Sequence, residues 1–239
     1  MKYRKLTKAA GLLVCLNITT ANASLTSLGN GLIYDNVSNI DIISNAGLFN
    51  TLAGGPNTST SFQNLVSTII SDNNGVIAGH SLSAAYDFNA GLSWYGAGAF
   101  VNYLDQTNYD GYSDWRLPTT NPAVTGYAST NPAVTQSELG ELVYNELGGQ
   151  SFSALSSGNN ANYNLFSNFT SGVYWTSTQD PNTAGNYLTF NTYSNFQGTV
   201  VETLQTGSAV IVRSVVPVPG AVWLFATGLF GLLGLKRRC

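Results

Sequence analysis

Between Ser24 and Val216 the chain carries two cations, Arg116 and Arg213, and neither lysine nor cysteine. All twelve acidic residues fall in that segment, from Asp35 to Glu202, so its formal charge is two minus twelve, or −10. Without a disulfide or thiolate site the segment must fold on packing alone. A domain of this size buries about 70% of its extended-chain surface, which is ample. Two arginines cannot build the basic groove that neutralises phosphates, so nucleic acid is excluded as a partner. The same field disfavours anionic membranes and sulfated sugars.

The remaining basic residues mark the two ends. Lys2 to Lys8 is basic, Ala9 to Ile18 is apolar, and Ala21-Asn22-Ala23 has the small-x-small spacing of a signal-peptidase site. Residues 1–23 are therefore expected to be a signal peptide cut between Ala23 and Ser24. The apolar run is about half the roughly 20 residues that span a bilayer. At the other end, Pro217-Val218-Pro219-Gly220 leads into Ala221 to Leu235, which has no charge, and then Lys236-Arg237-Arg238. As a helix this run is about 22 Å long, short of the roughly 30 Å hydrocarbon core, so it lodges only marginally. The basic cluster is expected to stay cytoplasmic, with the acidic domain outside.

This tail, residues 215–239, resembles a PEP-CTERM sorting signal of the variant Val-Pro-x-Pro-x-Ala-Val-Trp-Leu-Phe, with Val218 where glutamate is usual. The resemblance implies a Gram-negative host and an exosortase-type membrane peptidase that recognises Pro217, Val218 and Pro219, with Arg237 and Arg238 completing the signal. The protein would then pause at the inner membrane and pass to the cell surface or extracellular matrix. An uncut C-terminal anchor is the other reading. The prolines keep the hinge extended, as a peptidase requires.

Within residues 24–214, abundant Asn, Ser, Thr and Gly favours turns and strand edges over long helices. Three stretches have helical spacing: Phe62, Leu65, Val66, Ile69 and Ile70; then Trp94, Ala97, Val101 and Leu104; then Leu139, Leu142, Val143 and Leu147. Thr135-x-x-Glu138 reads as a capping box for the third. Strands are expected at Gly31 to Asp35, Val173 to Ser177, Asn186 to Phe190, Thr199 to Leu204 and Ser208 to Val216. This balance points to an α+β fold with more strand than helix. Thr-Asn-Pro-Ala-Val-Thr occurs twice, at 120–125 and 130–135, too few copies for a solenoid, and is read as a surface loop.

The most informative stretch is Tyr109 to Thr119, containing Asp114-Trp115-Arg116-Leu117-Pro118-Thr119. With Trp94, Phe100 to Leu104, Ser137-Glu138-Leu139, Tyr174 to Thr178 and Val212-Arg213-Ser214-Val215, it resembles the Lcl C-terminal domain family from about Leu28 to Val216. That family is a domain of unknown function. The resemblance implies a compact single α+β domain with a twisted antiparallel sheet and few helices, similar to C-type-lectin-like folds. Arg116 is expected to pair bidentately with a carboxylate, Asp114 being the nearest in sequence, against aromatic surface. Trp94, Trp115 and Trp175 are read as core residues, with sugar stacking as the other use of such rings.

Catalytic patterns fail. Ala78-Gly79-His80-Ser81-Leu82-Ser83 resembles a nucleophile elbow, but Ser83 replaces the last Gly and the lone His80 precedes its serine. One histidine and no cysteine in residues 24–214 rule out the usual zinc sites. Asp105, Asp110 and Asp114 are calcium candidates, although an EF-hand alignment puts Gln106 first and Leu117 twelfth. Glu138 and Glu141 are expected on an exposed helix face, without a cleft between them. No cofactor other than calcium is implied. The expected function is non-enzymatic: an exported surface or matrix protein, adhesive or biofilm-associated. The Lcl resemblance implies polyanionic glycan ligands, but the acidic charge directs this chain to a neutral polysaccharide or a surface protein. The alternatives are an extracytoplasmic carbohydrate-active enzyme using acidic residues, and an inert surface scaffold.

Overall fold

The computed structural model describes residues 25–205 and 207–215. The signal-cleavage residues Ala23 and Ser24, the hinge Pro217, Val218 and Pro219, and the basic Arg237 and Arg238 lie outside the described residues. So does the apolar run at 221–235; among the described residues no helix is long and apolar enough to cross a membrane.

The chain opens with a hairpin of β1 (Leu25–Gly29) and β2 (Leu32–Asp35). Its two-residue loop, Asn30-Gly31, has positive φ at both positions, the turn whose twist matches paired strands. β3 (Ile40–Ile43) pairs antiparallel with β2 and is buried along its whole length. Three elements follow: α1 (Leu48–Ala53), α2 (Thr60–Asp72) and a short hairpin of β4 (Val76–Ile77) and β5 (His80–Ser81). α3 (Ala84–Asp87) then leads to α4 (Trp94–Gln106). α2 and α4 start where Ser59 and Ser93 accept the Phe62 and Gly96 amides, so small polar residues here cap helices rather than prevent them. Helix consequently outweighs strand, 31% against 25%, contrary to the balance read from composition.

β6 (Trp115–Arg116) is followed by the 3₁₀ turn Pro132–Gln136, which falls in the second copy of the repeat, then by α5 (Glu138–Gly140) and a π-helical turn, Glu141–Glu146. β7 (Val173–Gln179), β8 (Asn186–Asn191), β9 (Phe196–Val201), β10 (Gly207–Ser208) and β11 (Val212–Ser214) complete the fold. The α+β class is as expected. The strands form a five-stranded sheet in the order β1-β2-β3-β11-β6 and a four-stranded sheet in the order β10-β7-β8-β9. All pairs are antiparallel except β10 with β7. The last strand, β11, thus sits between β3 and β6 and joins the N-terminal hairpin to the Trp115 segment.

Alternation along β2 and β3 divides the interior in two. Leu32 and Ile43 face a core with Phe49, Phe62, Phe88, Phe100, Trp115 and Trp175, while Ile33, Ile40 and Ile42 face one with Leu142, Val143, Leu147, Tyr174 and Phe190. The first copy of the repeat is a loop, as expected, whereas the second winds into the 3₁₀ turn, and both are pinned from beneath. In both copies the Asn side chain accepts the amide two residues on, Asn121 from Ala123 and Asn131 from Ala133. In both copies the Val, Val124 and Val134, is buried in the second core.

Candidate functional site

The Trp-Arg segment is structural. Trp115 is buried; its amide donates to Asp105 Oδ1 at 2.7 Å and its indole to the Tyr109 carbonyl at 3.0 Å. Arg116 makes a fork with Glu138, at 2.8 Å from Nη1 to Oε2 and 2.7 Å from Nη2 to Oε1, and also donates to Ser214 Oγ. The bidentate pairing is as expected but its partner is Glu138, not Asp114. α5, which begins at Glu138, delivers that carboxylate to the fork. Asp114 instead meets Arg213, which also donates to Asp41 at 3.1 Å and lies 3.8 Å over the Tyr112 ring. Leu117 and Pro118 are buried, and the Pro118 carbonyl accepts the Ser177 amide. Trp175 is fully buried and donates to the Leu92 carbonyl at 2.8 Å. Trp94 stacks on Tyr187 at 3.8 Å, so the three tryptophans are packing residues.

The Arg116–Glu138 pair lies between surface and core, its side chains 28% and 16% exposed. Arg116→Ala should therefore destabilise the protein by about 2 kcal/mol, between a surface pair and a buried one. Arg116→Lys, which keeps the charge but loses the fork, should cost roughly half as much. Urea unfolding of the two variants measures both, and a cost below about 0.5 kcal/mol for Arg116→Ala would reject the structural role.

His80 is held between Asp87 and Tyr95. Its Nε2 is 3.2 Å from Asp87 Oδ2, and its ring stacks on Tyr95 at 3.9 Å. Asp87 is buried and also accepts the Ser83 amide and the Ser93 hydroxyl. His80, Ser81, Ser83 and Tyr86 line an open pocket with Thr203 and Gln205.

The calcium candidates of the Asp105 to Asp114 loop do not gather around one point. Asp105 is taken up by the Trp115 amide, Asp114 by Arg213, and Asp110 is exposed in a turn with positive φ. Among the described residues the acids that do converge are Asp35, Glu141 and Glu146, with ligand oxygens all within 4.8 Å of one another. They are 0%, 6% and 2% exposed. Asp35 ends β2, while the two glutamates lie on the π turn.

The π turn is what brings the glutamates together. Leu147 donates to Leu142 at 2.9 Å, a bond spanning five residues, so positions five apart fall on nearly the same side. In an α-helix the same step rotates by about 140°. The chain expected as one α-helix from Thr135 is thus a 3₁₀ turn, one α turn and a π turn. Its cap is Ser137, which accepts the Gly140 amide, rather than Thr135. Glu141 is buried, not exposed as expected, and Glu138 is engaged with Arg116. Burial, reinforced by the adjacent Asp35 and Glu146 carboxyls, pushes Glu141 up to about 8, with the nearby Ser38 hydroxyl, which lies outside hydrogen-bond geometry, offsetting a little. Burial and Asp35 also raise Glu146. Asp35 Oδ1 accepts the Val37 and Ser38 amides, yet Asp35 Oδ2, both Glu141 oxygens and Glu146 Oε1 have no hydrogen-bond partner. This cluster was hidden from sequence reasoning because 106 residues separate Asp35 from Glu141 and the helical period was assumed to be 3.6.

A separate feature is exposed. Phe152, 65% exposed and with φ +65°, rests on Tyr127 at 3.9 Å between ring centroids, and Tyr127 contacts Phe196 at 4.8 Å. Tyr193, 62% exposed, adjoins Ser194, whose carbonyl accepts the Phe152 amide. Positive φ in a non-glycine residue costs about 1–3 kcal/mol and is found where surrounding structure enforces it.

No curated protein and no solved structure matches the chain. The family model for the Lcl C-terminal domain matches residues 71–216, more than half of the sequence, starting within α2 rather than at Leu28. The match contains β6 with its Arg116–Glu138 fork, the π turn and β11, whereas Asp35 and the first three strands precede it. By that match, the chain belongs to the Lcl C-terminal domain family.

Proposed function

We propose that the protein is an exported, non-enzymatic component of the cell surface or extracellular matrix that adheres to a neutral polysaccharide. The observation that carries this reading is the exposed Phe152, backed by Tyr127 and Phe196, together with the exposed Tyr193, on an acidic domain whose arginines are both paired. Aromatic faces stack on the apolar faces of sugar rings without needing charge. Polyanions would instead need free cations, and Arg116 and Arg213 are held by Glu138, Asp41 and Asp114. The signal-like residues 1–23 and the tail at 215–239 support export followed by exosortase-type sorting and adhesion or biofilm assembly.

A glycan array comparing neutral, acidic and sulfated polymers tests the ligand class. Neutral polymers should be retained, and Phe152→Ala or Tyr193→Ala should weaken binding about tenfold, the scale of one aromatic contact. Retention of sulfated polymers alone, or binding untouched by both substitutions, would refute the reading.

A further inference from the structure

We propose that Asp35, Glu141 and Glu146 form a buried calcium site that fastens the N-terminal strands to the family domain. The first support is geometry: three carboxyl groups from two distant parts of the chain present oxygens within 4.8 Å of one another. One ion at about 2.3–2.6 Å from each is compatible with that spread. The second is independent of clustering. Glu141 is 94% buried and aims into the cluster, yet neither of its oxygens has a partner, and one oxygen each of Asp35 and Glu146 is equally bare. Unpartnered buried carboxyl oxygens are costly, and a cation satisfies several of them at once.

The donors decide the type of ion. All are hard oxygens, with no imidazole or thiolate, which selects calcium or magnesium over zinc and copper. Magnesium demands a compact octahedron and keeps much of its water, whereas calcium accepts irregular cages and bidentate carboxylates. A dry site with three carboxylates therefore favours calcium. No side-chain cation competes: Arg116 and Arg213 are the only Lys or Arg residues among those described, and both are paired elsewhere. The consequence is mechanical. Asp35 lies before the matched segment and both glutamates within it, so the ion would join the first hairpin to the π turn.

The full-length protein, dialysed first against EDTA and then against calcium or magnesium chloride, tests the site. Elemental analysis after removal of free ion should find one calcium per chain. Calcium at a hundredfold excess over Kd should raise Tm by about 5–10 °C. Asp35→Asn and Glu141→Gln should abolish both effects, while Asp110→Asn, in the exposed loop, should preserve them. Should either substitution prevent folding, Glu146→Gln makes the same test, and the wild-type stoichiometry stands without any variant. Absence of bound calcium with no shift in Tm would overturn the proposal, as would a shift that survives in Asp35→Asn and Glu141→Gln. An equal or larger response to magnesium would overturn the choice of ion.

Discussion

Freed of divalent ions by a chelator, the protein should lose stability as pH rises from about 5 to about 8, by roughly 3–5 kcal/mol, since each pH unit between the unfolded and folded pKa of a carboxyl is worth about 1.4 kcal/mol. The sign follows from Glu141. Its folded carboxyl holds a proton up to about 8 against an ordinary value of 4.5, so the folded state binds that proton more tightly than the unfolded one. The stabilisation is complete below the unfolded value and is lost as pH passes through the folded one. Glu146 is raised for the same reasons and adds to the slope, and Asp35 faces both. Asp41 and Asp105 are also raised, mainly by burial, and contribute in the same direction. Glu141→Gln keeps the shape without the charge, so it should flatten most of the decline and leave the ion-free variant more stable than the parent above pH 8. Urea unfolding from pH 5 to pH 9 in EDTA measures this. An equal slope in the variant would place the cause elsewhere.

Gly140→Ala should be the most damaging small substitution near this site, costing about 3 kcal/mol or more. A Cβ at Gly140 would overlap the Val134 carbonyl and crowd the Ser137 hydroxyl. The first is backbone, in the 3₁₀ turn, and cannot swing aside as a side chain would. The second is the cap of α5, and Ser137 also donates to Gln197 Oε1 at 2.7 Å. Relief would require α5 and the π turn to move away together, carrying Glu141 out of line with Asp35. Thermal unfolding reads the loss of stability. A variant within about 1 kcal/mol of the parent would mean that the 3₁₀ turn yields freely.

Much of the scaffold was legible because its signals are local. The spacing of Phe62, Val66 and Ile69 marks one buried stripe, and the helix observed, Thr60–Asp72, buries those three residues. Val173 and Asn186 open runs of β-branched and aromatic residues, and β7 and β8 begin there. Trp115 and Trp175 sit in aromatic-rich stretches that point to the core, and both are buried. The carboxylate fork of Arg116 was also foreseen, because a guanidinium flanked by aromatic residues in an acidic chain has that pairing as its best use. The identity of its partner was not, since it depends on α5 packing beside β6.

The charge distribution, the absence of cysteine between Ser24 and Val216, and the hydrophobic periodicities of the sequence by themselves determined an acidic, disulfide-free α+β domain with two arginines committed to structure. Only the tertiary structure decided which acids meet. The wider π turn at Glu141–Glu146 rotates two glutamates onto one side, and the pairing of β2 in the five-stranded sheet brings Asp35 against them. Hydrophobic periodicity reports which face of an element is buried. It does not report a change in helical pitch or a contact between residues far apart in the chain, because both are set by packing between elements.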